Sequence, residues 1–199
     1  MIRIVLILSM ATPLAAEGRY YISALGGITA LSGDGRTDFS QATPRVALYG
    51  PKSGAGLNLA GGVHLNDWFA LQGNYIWNRN DVTLAEIQGQ SFQERKTEVR
   101  QGAIGADGLL YFRPRSSRIR PYLSAGPIAV RIHLVGDSSN WHPGLRVAVG
   151  IDLLTKNHWG FRYSFSEMLT GNAINAALSP AGGRPLMTFQ NLFGFCKYF

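Results

Sequence analysis

Cysteine is nearly absent: Cys196 stands alone in 199 residues. One thiol closes no intramolecular disulfide, and no Cys/His spacing suits a metal site. Charge is scarce as well, at 16% of residues against about 25% in an average soluble domain. Beyond residue 16 no apolar run approaches the roughly 18 residues that a membrane helix requires, which excludes a helical membrane protein. Glycine, by contrast, is plentiful at 24 residues, alongside 46% hydrophobic and 11% aromatic content. Glycine is costly inside helices, which argues against a helical bundle. The apolar content is too rich for a disordered chain. An all-β chain short of surface charge remains.

The chain opens MIRIVLILSMATPLAAEG. Arg3 supplies a positive start, Ile4 to Met10 an apolar core, and Pro13-Leu14-Ala15-Ala16 a small-residue end. That layout predicts a secretory signal peptide over residues 1–16, cut after Ala16, and a single domain over 17–199. No Cys lies near the cut, so a lipid anchor is not expected. Cys196 reads as a small residue packed in the last strand.

The informative signal in the rest is period two, because successive strand side chains point to opposite faces. In 55–65, Ala55, Leu57, Leu59, Val63 and Leu65 alternate with Asn58, Ala60, Gly62 and His64. Residues 69–78, 145–153 and 159–166 repeat the pattern. Weaker versions occupy 20–30, 101–112, 122–134 and 187–199, making eight strands. In 122–134 the apolar stripe is Tyr122, Ile128, Val130, Ile132 and Leu134, opposite Arg131 and His133. Long polar connections at 32–54, 79–98, 135–143 and 167–186 alternate with short ones at 66–67, 113–120 and 155–158. This predicts an antiparallel up-and-down meander with both chain ends on the short-turn side.

Eight such strands close either as a soluble barrel or as a transmembrane one, and the two differ in which face is apolar outward. Here the non-apolar face is mostly Gly, Ala, Ser and Asn, which suits a narrow lumen better than bulk water. The charges point the same way. Asp107, Arg131, Arg146, Asp152 and Arg162 fall opposite the apolar stripes, joined by His64 and His133. They form a set able to pair across a lumen, with Asp152 and Arg162 flanking the turn at 155–158 as facing partners. Lys197, the exception, lies close enough to the chain end to snorkel. Strand lengths match the 9–11 residues of a tilted membrane strand. Aromatics gather near strand ends, at Tyr20, Tyr21, Trp68, Phe69, Trp77, Tyr111, Phe112, Tyr122, Trp159, Tyr198 and Phe199. The expected architecture is an all-β, eight-stranded antiparallel up-and-down transmembrane β-barrel.

The chain ends Phe189-Gln-Asn-Leu-Phe-Gly-Phe-Cys-Lys-Tyr-Phe199. Gly194, Phe195 and the terminal Phe199 on an amphipathic strand resemble the assembly signal of bacterial outer-membrane barrels, although Lys197 stands where an aromatic is usual. Arg120-Pro-Tyr-Leu-Ser-Ala-Gly126 and Leu178-Ser-Pro-Ala-Gly182 also resemble segments of small OmpA-type barrel proteins. The whole mature chain resembles that family, without a peptidoglycan-binding domain. The resemblance implies export to the outer membrane of a Gram-negative-type cell and termini on the periplasmic side. It also implies contact with outer-membrane lipids and lipopolysaccharide, and with the barrel-insertion machinery. Four surface loops are left for an unknown extracellular ligand.

Chemistry is thinly signalled. Some barrels of this size deacylate lipid A with a His-x-Ser motif, but the four histidines lie in His64-Leu-Asn, His133-Leu-Val, His142-Pro-Gly and His158-Trp-Gly. A site built from His142, Ser166 and Glu167 is the alternative. A narrow pore is another, although an eight-stranded lumen is about wide enough to be filled by its own side chains. No catalytic, cofactor or metal residues are expected. Arg113, Arg115, Arg118 and Arg120 share one short turn, where anionic head groups are better partners than nucleic acid. Gly33-Asp-Gly35 and Gly61-Gly62 lack the strand-to-helix context of a phosphate loop.

Overall fold

The computed structural model describes residues 19–32, 36–38, 45–88, 91–134, 140–171 and 186–199. The expected signal segment, 1–16, lies outside the described residues, as does Leu178–Gly182. Among the described residues ten strands run β1 Tyr20–Leu31, β2 Arg36–Asp38, β3 Arg45–Pro51, β4 Gly54–His64, β5 Phe69–Gln88, β6 Ser91–Tyr111, β7 Ile119–Leu134, β8 Asn140–Leu154, β9 Trp159–Thr170 and β10 Leu186–Tyr198. Eight of them form a closed ring, β1-β4-β5-β6-β7-β8-β9-β10, in which every neighbour is antiparallel. The first and last strands complete it, with Tyr21 opposite Tyr198 and Leu31 opposite Thr188. Closure leaves no unpaired edge inside a bilayer, where a bare N–H or C=O would cost several kcal/mol.

Short turns sit at the end that holds both termini. Asn66 caps one of them, its Oδ1 accepting from the Trp68 and Phe69 amides at 2.8 Å each. Another is a single 3-10 turn, Lys156–His158, with Asn157 at φ 74°, a left-handed conformation that Asn tolerates. At the opposite end the expected polar loop over 79–98 is instead a long hairpin. The β5–β6 ladder continues past Arg79↔Arg100 to Gln88↔Ser91. Period two persists there: Val82 and Val99 are buried while Asp81, Lys96 and Arg100 are exposed. Polarity alone concealed a strand whose outer face meets water. Strand β3 pairs with the upper part of β5, and β2 with β3, extending the wall on that side.

The faces are assigned by exposure. Leu57, Leu59, Leu71, Tyr75, Ile104, Val149, Phe165, Phe193 and Phe195 lie on the outside, whereas Asn58, Gln72, Asn74, Asn78, Gln101 and Gln190 are buried within. An apolar exterior around a polar interior is the arrangement of a barrel dissolved in lipid.

Strand β7 reverses the expected phase. Tyr122, Ile128, Val130 and Ile132 face the lumen, while Leu123, Arg131 and His133 are exposed on the outer face. The outward side is itself apolar through Leu123, Ala125, Pro127 and Ala129, so hydrophobicity could not choose between the faces. Inside, Ile128, Val130 and Ile132 join Leu31, Ile76 and Met168 in an apolar cluster. The aromatic girdles are also thinner than expected. Tyr21, Tyr111, Tyr122 and Tyr198 point inward, where their hydroxyls find polar neighbours. Tyr20, Trp68, Phe69, Phe112, Trp159 and Phe199 remain exposed at the terminus end.

Candidate functional site

The lumen is built in storeys. Nearest the termini, Asp152 on β8 and Arg162 on β9 are register partners. The guanidinium grips the carboxylate twice, Nε to Oδ1 at 2.6 Å and Nη2 to Oδ2 at 2.7 Å. The hydroxyls of Tyr198 (2.8 Å) and Tyr111 (3.2 Å) donate to Oδ2 as well. Arg162 Nη1 donates to Gln72 Oε1 at 2.8 Å, which also accepts from Tyr21 at 2.9 Å. The Tyr21 and Tyr122 rings flank the guanidinium, with centroids 4.9 and 5.1 Å from Cζ. Such a pair is tolerable in a low dielectric because its geometry is bidentate and its remaining sites are hydrogen-bonded.

His64 sits beside this group in a cage of Tyr21, Tyr111 and Tyr198, ring centroids 5.3, 5.3 and 6.1 Å away. Neither of its nitrogens has a hydrogen-bond partner. One storey up, Arg146 on β8 pairs with Asp107 on β6, which Ser124 also approaches. Above them Gln190 Nε2 donates to Asn78 Oδ1 at 2.7 Å, Asn78 Nδ2 to Gln101 Oε1 at 3.2 Å, and Gln101 Nε2 to Thr188 Oγ1 at 3.2 Å. The apolar cluster lies toward the loop end.

Of the residues expected in a lumen network, Asp107, Arg146, Asp152, Arg162 and His64 are thus inside and buried. Arg131 and His133 are not; the phase of β7 sends them outward. Sequence reading missed Arg120, buried on β7, and the four inward tyrosines. For Tyr21 and Tyr122 a bare glycine is the available signal: a Cβ on Gly62 would run into the Tyr21 ring, and one on Gly150 into Tyr122. Gly194, Phe195 and Phe199 of the expected assembly signal lie on or beside β10, with Phe195 and Phe199 exposed.

The residues offered for a hydrolase do not meet. Ser166 faces the lumen opposite Ala148 and donates to Gln190 at 3.0 Å. His142 lies six positions from Ala148 along β8, about 20 Å at the usual strand rise. Glu167, one residue after Ser166, points to the other face. Among the described residues no cluster of His, Cys, Asp or Glu could hold a metal ion.

The outer wall carries its own charged group at the loop end. Arg79, Arg100 and His133 form one row across β5, β6 and β7, with Arg131 two residues nearer the membrane band and Trp141 beside it. Glu98 bridges two of the cations, bonding Arg100 and, at 2.5 Å, Arg79. Those guanidinium groups, Arg100 first, hold the Glu98 carboxyl below its ordinary value.

The match to known families agrees with this architecture. Residues 2–181 match the family described as outer membrane protein beta-barrel domain. The chain belongs to the outer-membrane β-barrel family. Among solved structures it is similar to Neisserial surface protein A (16% identity, TM-score 0.61, covering 93% of this chain and all of that one). It is also similar to the outer membrane protein OprG of Pseudomonas aeruginosa (14%, 0.63, covering 92% and 97%). At such identities the likeness concerns the fold alone. No curated protein matches the chain.

Proposed function

We propose that this barrel is a non-catalytic wall element of the outer membrane that displays its loop-end strands to the exterior. After export on the signal peptide it would be inserted through its β10 signal, with the termini in the periplasm. One observation carries the reading: the β5–β6 hairpin continues as paired strand nine residue pairs beyond Arg79↔Arg100, well past the apolar band. A rigid ladder of that length, supported by β3, is an extracellular platform rather than a slack connection. The filled lumen supports a plug in preference to a conducting path. The exposed Arg79, Arg100, Arg131 and His133 group at the loop end supports anionic outer-leaflet lipopolysaccharide as a neighbour.

An epitope inserted between Gln88 and Ser91 tests display. Antibody should label intact cells, and the unboiled protein should still migrate apart from the boiled form in detergent gels. Labelling only after the envelope is broken would overturn the reading. Lipid A acyl composition should be unchanged by overexpression, and planar bilayers should show no stepped currents.

A further inference from the structure

The terminus-end mouth of the lumen holds a cation that the ionic storeys do not neutralise. Among the described residues the buried lumen charges are Arg120, Arg146 and Arg162 against Asp107 and Asp152. Arg146 takes Asp107, and Arg162 takes Asp152 in bidentate fashion. Arg120 is the register partner of Asp152, yet that carboxylate already accepts from Arg162, Tyr111 and Tyr198. Arg120 is only 1% exposed. Its guanidinium lies 3.8 Å over the Tyr111 ring, Nη2 makes one long hydrogen bond (3.4 Å) to the backbone carbonyl of Asp67, and Nε has no partner. A buried guanidinium with an orphaned donor is a costly arrangement unless something else completes it.

Arg120 opens onto a cavity of about 450 Å³ at this mouth. Arg115 of the neighbouring turn, Ser116, Thr155, Asn157 and His158 share its lining. Two arginines surrounded by hydroxyl and amide donors match a group with several acceptor oxygens. The exposed Asp67 carboxyl stands among the lining residues and disfavours anions held only by long-range charge. Of the four arginines clustered at this turn, Arg113 and Arg118 are exposed and take no part in the lining.

We propose that this mouth is a binding site for a phosphate group, with Arg120 as its fixed buried donor and Arg115 as its second cation. The phosphate belongs to a soluble phosphate ester or to a phosphoglycerol lipid head group; both offer the same oxygens. The site lies on the wall between lumen and periplasm and is separate from the loop-end platform.

The test uses the mature chain folded in zwitterionic micelles, titrated calorimetrically with inorganic phosphate and with glycerol phosphate. Saturable 1:1 binding is expected. Arg115→Gln should weaken it about tenfold or more, the scale of one charge-assisted hydrogen bond. Arg120→Gln should abolish it. Heat-shifted migration in gels shows whether each variant is folded, and Arg115, on an exposed turn, keeps the test decisive if Arg120→Gln fails to fold. A phosphoglycerol nanodisc that competes with inorganic phosphate, where a phosphocholine disc does not, would identify the lipid source. Competition by neither disc, with binding retained, would identify a soluble ester. Absence of saturable binding to millimolar phosphate, or equal affinity in wild type and Arg115→Gln, would overturn the proposal.

Discussion

Asp152 and Arg162 occupy facing positions on β8 and β9, on either side of the Thr155–His158 turn, and meet through two hydrogen bonds of 2.6 and 2.7 Å. The nearness is a consequence of antiparallel register: residues equidistant from a tight turn become neighbours on one face. Asp152→Ala leaves a guanidinium buried without its anion and should destabilise the barrel by about 3–5 kcal/mol. Replacing both, Asp152→Leu with Arg162→Met, should cost far less than Asp152→Ala alone. Urea midpoints in lipid vesicles measure both. A double variant as unstable as the single one would show that the pair is not the unit.

Tyr21 and Gly62 form a second unit. The ring occupies the place where any side chain on Gly62 would begin. Gly62→Ala should destabilise by about 1–3 kcal/mol through overpacking. Adding Tyr21→Ala should recover part of that loss, because the two sites share one space. Strict additivity in a double-mutant cycle would contradict the contact.

These two units show what was legible beforehand. Alternation, the short turns and the alternation of loop lengths sufficed for eight strands, their order, and the inward placement of Asp107, Arg146, Asp152, Arg162 and His64. Other features escaped. On β7 both faces are apolar through the middle, so hydrophobicity puts Arg131 and His133 in the lumen, whereas they lie exposed on the outer wall at the loop end. The tyrosines escaped for the opposite reason. Tyr is apolar by count and polar at its tip, and the facing glycines Gly62 and Gly150 mark only Tyr21 and Tyr122 as lumen residues. The buried Arg120 looked like one more member of an exposed basic turn, because sequence distance from a turn does not reveal which way a strand residue points.

The reversal on β7 yields a paired expectation. Leu59 is exposed midway along β4, within the apolar band. Leu59→Arg should cost about 2–4 kcal/mol, the scale for a cation near the bilayer midplane. Arg131→Leu should cost no more than about 1 kcal/mol, the scale of an exposed charged contact, because Arg131 is exposed on the outer wall. Vesicle unfolding measures both, and a large loss on Arg131→Leu with little change on Leu59→Arg would restore the inward placement.

Glu98 offers a pH test outside the membrane band. Its carboxyl is held below the usual value by Arg100 and then Arg79. Because the folded value is the lower one, the charge pairing favours the hairpin above the ordinary carboxylate pKa of about 4.3 and fades as pH falls through the folded value. A carbon-detected titration of Glu98 should therefore show its midpoint below that of exposed glutamates. Arg100→Ala should move the midpoint upward, since it removes the leading partner, while Arg79→Ala should move it less. Molar salt should narrow the difference, because both cations are solvent-exposed and screened. An unshifted midpoint in wild type would mean that the two guanidinium groups are turned to other anions in the membrane-bound protein, with Glu98 left to solvent.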